Sequence, residues 1–383
     1  MSNGFQHSAG RRVGVVGGGQ LARMMGEAAH HEGVALTVLT TSPDDPAVAT
    51  CDDVVVGGAR DFVALERLAR VVDVVTFDHE LVDLEQIGRL EAQGVVVRPS
   101  ATALRFAADK AHQRRAFRAA GLPVPRFLCV RDSTDPQLAA FLEALDGPPV
   151  VKAARGGYDG RGVGFPVSRE QALVMIDEID DEVVVEERLD LLREVAQLVV
   201  RGVDGSLALY PLVTTVQSQG MCVEVRYPSA EPSAHLSQAR ELAGRIAELV
   251  NAVGVLAIEF FVTRDGLVIN EIALRPHNSG HWTIEGAATS QFANHLRAVS
   301  GQSLGDASAT GQHVVMVNVI GDQQRGSLSE AGAVSGASVH DYGKSWRPGR
   351  KLGHVTVVGD DPHWAHVTAW RSARAYGTGS RET

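Results

Sequence analysis

Two apolar runs joined by Thr263-Arg264-Asp265-Gly266 constrain the fold more than any other stretch of this chain. The runs, AIEFFV before the turn and LVINEIAL after it, have strand composition, and a short Gly-containing loop between such runs signals a β-hairpin. If the hairpin pivots on Asp265, Thr263 faces Leu267 and Glu259 stands directly across from Glu271. Cross-strand partners have Cβ atoms roughly 5 Å apart, and two like charges so placed are destabilising. A shared proton, a basic neighbour or a divalent cation has to offset that repulsion. Carboxylates acting together with substrate phosphates are the usual holders of Mg²⁺. Directly downstream, the run RPHNSGH from Arg275 to His281 is too rich in donors and imidazoles for an ordinary connection.

The 383 residues exceed the usual limit of one hydrophobic core, so two or three domains are expected. Residues 12–100 alternate between β and α character, with strands at 12–16, 35–40, 71–78 and 94–99. That alternation predicts a doubly wound parallel sheet with helices on both faces. Gly17-Gly18-Gly19-Gln20-Leu21-Ala22 fits a dinucleotide fingerprint, but the second strand ends Leu39-Thr40-Thr41-Ser42 without the expected ribose-binding acid. A helix N-terminus serving another phosphate or polar ligand is the better reading. A basic helix from Asp109 to Ala120 is stopped by Gly121, and Pro123 and Pro125 mark a junction. The expected domains are 1–108, 109–305 with a Gly-rich hairpin subdomain at about 125–190, and a β-rich 306–383 ending in a disordered tail from Gly377.

Lys152 ends a short strand and enters a stretch, Gly156 to Gly164, with five glycines in nine residues. Such a loop exposes amides and can lie over a polyphosphate while the lysine supplies a point charge. Glu186 and Glu187 end another apolar strand, where adenine and ribose could be hydrogen-bonded, and Glu194 begins the next. Residues 234–254 have helical spacing. Gly343-Lys344-Ser345 resembles the end of a Walker A motif, but Ser338 stands where its first glycine belongs and Pro348 precludes the helix. The cations Lys344 to Lys351 sit in one turn of a chain with net charge −10, which suits a phosphate monoester better than a nucleic acid. The three cysteines are far apart and read as thiols in a reducing cytosol. No apolar run approaches the ~20 residues of a membrane span, and Met1 to Gly10 lacks a signal-peptide core, so a cytoplasmic location is expected.

A parallel N-terminal sheet, a lysine with a Gly-rich hairpin, and a later pair of acids on adjacent strands resemble, in that order, the ATP-grasp superfamily. Within it GGYDGRGVG (156–164), NEIALRPHNSGHWTIEGAATSQFANHLRA (270–298) and WRPGRKLGHV (346–355) look like the 5-(carboxyamino)imidazole ribonucleotide synthases, the purK type. GGGQLARMM (17–25) and TFDHE (76–80) fit as well.

The resemblance implies an α/β and α+β protein: an ATP-grasp fold with a doubly wound N-terminal domain and a small C-terminal β-rich domain. It implies an ATP site at Arg105, Lys152, Gly157, Tyr158, Asp159, Gly160, Arg161, Gly162, Val163, Glu186, Glu187, Arg188, Leu189, Glu194, Gln217, Asn270 and Glu271. Mg²⁺ falls to Glu259 and Glu271. The imidazole ribonucleotide falls to Glu80, Tyr158, Asp159, Arg275, His277, Asn278 and Ser279, with its phosphate at Lys344, Arg350 and Lys351. Lys152, Arg275 and His277 carry the chemistry in this reading, with His277 as candidate proton acceptor. Ala22, Leu81 and Gln217 depart from the family's usual residues. ATP, bicarbonate and aminoimidazole ribonucleotide are the expected partners of a homodimer, with no nucleic acid and no membrane. A formate-using ATP-grasp relative acting on glycinamide ribonucleotide, a nicotinamide oxidoreductase and an inactive ADP-binding module are the competing readings.

Overall fold

A computed structural model describes residues 11–156, 162–323 and 325–377. Strands β1 (Arg11–Val16), β2 (Val34–Thr40), β3 (Asp53–Val56) and β4 (Val74–Phe77) form a parallel sheet in the order β3-β2-β1-β4. Val13, Val15, Leu36 and Val38 are buried on one side and Val16, Leu39 and Phe77 on the other, as helices on both faces require. The expected strand at 94–99 is reduced to a single bridge, Val97 to Val75, flanked by Val75 N–H to Val96 O and Arg98 N–H to Val75 O. Pro99 follows and has no N–H to extend the ladder. β3 was not foreseen, because DVVV is too short to declare a period.

β5 (Phe127–Val130), β6 (Val150–Ala153), β7 (Val163–Gly164) and β8 (Val183–Glu186) form a small antiparallel sheet in the order β5-β8-β6-β7. Its own core is Val130, Leu138, Val151, Ile176, Val183 and Val185.

The large sheet is antiparallel and holds β9 (Arg193–Arg201), β10 (Leu207–Leu209), β11 (Val213–Ser218), β12 (Met221–Tyr227), β13 (Gly254–Thr263), β14 (Gly266–Ala273), β15 (His313–Ile320), β16 (Ala337–Asp341) and β17 (Lys351–Gly359). Its order is β14-β13-β9-β11-β12-β15-β17-β16, with β10 also on β9. The C-terminal strands therefore continue this sheet through the β12–β15 ladder. Helix Ser233–Val250 lies against it and buries Ala239, Leu242, Ala243, Ile246, Ala247 and Val250, one stripe at helical spacing. Burying Leu242 and Ile246 contributes roughly 1.5–3 kcal/mol each.

The β13–β14 hairpin differs from its predicted pivot in an instructive way. Thr263 pairs with Gly266, not Leu267, so the turn is the two residues Arg264-Asp265. The register slips at Asn270, and this bulge restores the pairing of Glu259 with Glu271. Ile258, Phe260 and Val262 pack into the core beneath the helix, while Val255 and Ala257 enter the core of the opposite face. By alternation Glu259 belongs to that second face.

Candidate active site

The bulge at Asn270 is where the two sheets meet chemically. Its extra residue leaves the ladder, and the freed Asn270 carbonyl accepts from Arg114 Nη2, while Asn270 Oδ1 accepts from Lys152 Nζ at 3.4 Å. Lys152, at the end of β6, pairs with Glu186 at 2.8 Å, and Arg114 reaches the other Glu186 oxygen at 2.6 Å. All three side chains are buried. Burial opposes the Glu186 charge, but Arg114 and Lys152 outweigh it and hold the carboxyl down at about 2. Arg114, which sequence reasoning missed, sits on the basic helix Lys110–Ala119. Burial pushes the Lys110 ammonium down from its ordinary value, with the Glu271 charge opposing that shift. Helical spacing puts residues 110 and 114 on one face but does not say what that face meets.

Glu194 opens β9 beside the hairpin. Burial first, and then the neighbouring Glu271 charge, raise its carboxyl to about 7, against the pull of Lys152. Glu194, Glu271 and Lys152 thus share one electrostatic neighbourhood, and Gln217 stands on β11, the strand next to β9. Glu187 gives both carboxylate oxygens to Arg126, to its N–H at 2.7 Å and its Nε at 2.6 Å. Arg188 lies over the Phe165 ring at 5.7 Å, Leu189 is half-buried, and Arg105 is exposed on helix Ala101–Ala108. Gly162 takes a φ of +72°, and Val163 pairs with Lys152. The expected contacts of Gly157, Tyr158, Asp159, Gly160 and Arg161 lie outside the described residues.

On the far side of the acid pair, Glu80 receives Arg275 Nε at 2.6 Å and the Leu274 N–H at 3.2 Å. This joins the loop after β4 to the end of β14. His277 Nε2 stands 3.9 Å from Glu259 Oε1. Its Nδ1 accepts from the Ser279 N–H at 3.3 Å and lies 2.8 Å from Ser279 Oγ. A backbone N–H can only donate, so the neutral ring carries its proton on Nε2, facing Glu259. Burial, then the charges of Arg275 and Lys351, lower the imidazole to about 3, which keeps it neutral.

Asn278 exchanges two amide bonds with Asn318 of β15, at 2.8 and 2.7 Å. Lys344 donates to Gln20 Oε1 at 2.6 Å, at the start of helix Gln20–Ala29. Arg350 donates to Ser345 O and Oγ at 3.1 and 2.6 Å, closing its own turn. Burial raises the Asp78 carboxyl, while Arg275 and Lys344 oppose that shift. Lys344 and Arg275 therefore border Asp78, and Lys351 and Arg275 border His277.

Among the described residues no group of three or more His, Cys, Asp or Glu side chains forms a metal site. Two facing carboxylates do fit a hard cation that keeps phosphate and water ligands, which is the habit of Mg²⁺. No helix among the described residues is long and apolar enough to cross a membrane.

A large antiparallel sheet with paired acids, facing a small sheet that bears a lysine and a Gly-rich turn, defines an ATP-grasp ligase. The ATP-grasp domain model matches residues 115–292, the ribonucleotide synthetase preATP-grasp domain model 11–108, and the phosphoribosylaminoimidazole carboxylase C-terminal domain model 314–368. The chain belongs to the N5-carboxyaminoimidazole ribonucleotide synthase family. It is 46% identical over 361 residues to the synthase of Mycobacterium tuberculosis H37Rv, covering 91% of this chain and 84% of that protein. The synthetase of Thermus thermophilus superposes with a TM-score of 0.88 at 36% identity, covering 97% of this chain and all of that one. The Aspergillus clavatus synthase in complex with ADP and 5-aminoimidazole ribonucleotide gives 0.86 at 31% identity, over 96% and 98% of the two chains.

Proposed function

We propose that the protein carboxylates 5-aminoimidazole ribonucleotide with bicarbonate at the expense of ATP, in purine biosynthesis. One observation carries this reading. Lys152, paired with Glu186, reaches Asn270 beside Glu271 at one end of the acid pair, and His277, which feels the Arg275 charge, stands 3.9 Å from Glu259 at the other. A phosphoryl donor and an anionic acceptor held at those two ends meet at the acids.

In this reading a bicarbonate oxygen attacks the γ-phosphorus, the bond to the bridging oxygen breaks, and ADP leaves with carboxyphosphate formed. Lys152 meets the charge on the transferred group as a fixed cation, already oriented by Glu186 and Asn270. Glu259 and Glu271 would hold Mg²⁺, which when bound neutralises phosphate charge. Arg275, fixed by Glu80, presents its planar donors to the bicarbonate-derived anion. The exocyclic amine then attacks the carboxyl carbon and phosphate departs. With Nδ1 engaged by Ser279, His277 accepts a proton only by leaving that partner, so we assign the amine proton to the departing phosphate. His277 keeps its Nε2–H toward Glu259. Lys344 and Lys351 receive the ribonucleotide phosphate, while Arg350 holds their turn. We take the enzyme to be a cytoplasmic homodimer with domains at 1–108, 109–305 and 306–383, and sedimentation of the purified protein tests the dimer.

The test is ADP release from MgATP with the ribonucleotide or bicarbonate omitted in turn. Turnover only with both present is expected, and Glu271→Gln should lower it by about 100-fold or more. ADP release indifferent to the ribonucleotide would sink the purine substrate; release supported by formate instead of bicarbonate would favour the formate-using alternative.

A further inference from the structure

Residues Arg275 to Thr283 hold four of the ten residues assigned to the ribonucleotide and its phosphate, yet their only regular structure before Thr283 is the single turn Asn278–Gly280. Such a segment cannot fix its backbone through a ladder of its own. A neighbour has to do it, and that neighbour is Gln291, the first residue of helix Gln291–Val299 and fully buried.

Gln291 Oε1 accepts the His277 N–H at 2.9 Å, and its Nε2 donates to the His277 carbonyl at 2.8 Å. One primary amide thus makes with His277 the two-bond exchange that an antiparallel strand partner makes. The same Nε2 lies 3.0 Å from His281 Nδ1. The side chain thereby uses both of its N–H bonds and its oxygen, and only one amide orientation satisfies all three. Its main-chain N–H donates to Thr283 Oγ1 at 2.9 Å, and that hydroxyl donates to the Gly280 carbonyl at 2.6 Å. The loop is closed into a ring around Gln291. Gly280 has no Cβ, and one placed there would collide with Gln291 Oε1 and Leu198.

We propose that Gln291 is a positioning residue for the ribonucleotide site, setting His277 and its neighbours without touching either substrate. The proposal rests on the carboxylation reading above. Gln291→Met keeps length and volume but removes all three side-chain bonds. The KM for aminoimidazole ribonucleotide should then rise about tenfold or more, with the KM for MgATP close to wild type. A ribonucleotide KM unchanged in folded Gln291→Met overturns the proposal, and so does an equal rise in both KM values. Should Gln291→Met not accumulate as folded protein, Thr283→Val and Thr283→Ser carry the same test. The valine must raise the ribonucleotide KM selectively and the serine restore it; two equal values overturn the proposal. Wild-type enzyme that releases ADP without needing the ribonucleotide would instead overturn the carboxylation reading, and this inference with it.

Discussion

At the scale of single residues, charge is decided by which neighbours burial brings. Glu186 and Glu194 are both acids at strand ends in the same site, yet one is held down at about 2 and the other raised to about 7. Burial raises both; of the two acids, Arg114 and Lys152 touch only Glu186. Because its folded value is depressed, Glu186 contributes stability that is fully present above its unfolded value near 4.5 and lost as pH falls toward 2. Glu186→Gln should therefore cost about 3 kcal/mol in urea unfolding at pH 7, since it strands two buried cations. The gap to wild type should stay constant down to about pH 5 and narrow only below 4.5. A gap that narrows between pH 8 and 6 would contradict the assignment. Lys152 and Glu186 were legible in the sequence as strand-end polar residues. Arg114 was not, because a basic helix face says nothing of what it points at.

Elements determine which of the foreseen residues remain able to meet a ligand. The turn from Lys344 to Lys351 was read as a phosphate site built of three cations. In the fold Arg350 is committed to Ser345, whereas Lys351 lies in β17 beside the His277 loop, where its charge is felt by both His277 and His281. Lys351→Ala should raise the KM for the ribonucleotide about tenfold or more, as expected for a lost charge-assisted contact. Arg350→Ala should act less on KM and more on thermal stability, measured on the same preparations. The hairpin teaches the same lesson. Pairing Glu259 with Glu271 was foreseen from equal distances to Asp265, but the turn is one residue shorter and the Asn270 bulge makes up the difference. Periodicity alone does not announce a bulge. Here it is the feature that turns Asn270 toward Lys152 and Arg114.

Across the whole molecule, the buried histidines set the response to acid. Burial lowers His277 and His295 to about 3 and His281 and His354 well below their ordinary value, so all four are neutral in the fold. Unfolding lets them take protons below about 6.5, so stability rises with pH through that window. Glu194 and Asp78, both raised by burial, act in the opposite sense. Four groups against two leave stability rising with pH from about 5.5 to 7, read by urea denaturation. A stability that falls over that interval would contradict it. His295 also ties the domains together, lying 2.9 Å from Thr76 Oγ1 of β4 and accepting the Val255 N–H of β13 at 3.1 Å.

The sequence by itself determined the parallel N-terminal sheet, the β13–β14 hairpin with its facing acids, the amphipathic helix (read at 234–254 and ending at Val250, before Gly254 opens β13) and the family, because periodicity, turn chemistry and long motifs are local. It left unread the strands β10, β11 and β12, the helix Pro362–Tyr376, and the joining of the C-terminal strands to the large sheet. It also left unread Gln291, Asn318, Arg114 and His295 as the side chains that hold the site. Only the tertiary structure decided these, since a buried amide or guanidinium takes its meaning from partners tens to hundreds of residues away. A polar residue in a helix or strand pattern looks the same whether it faces water or closes such a bond.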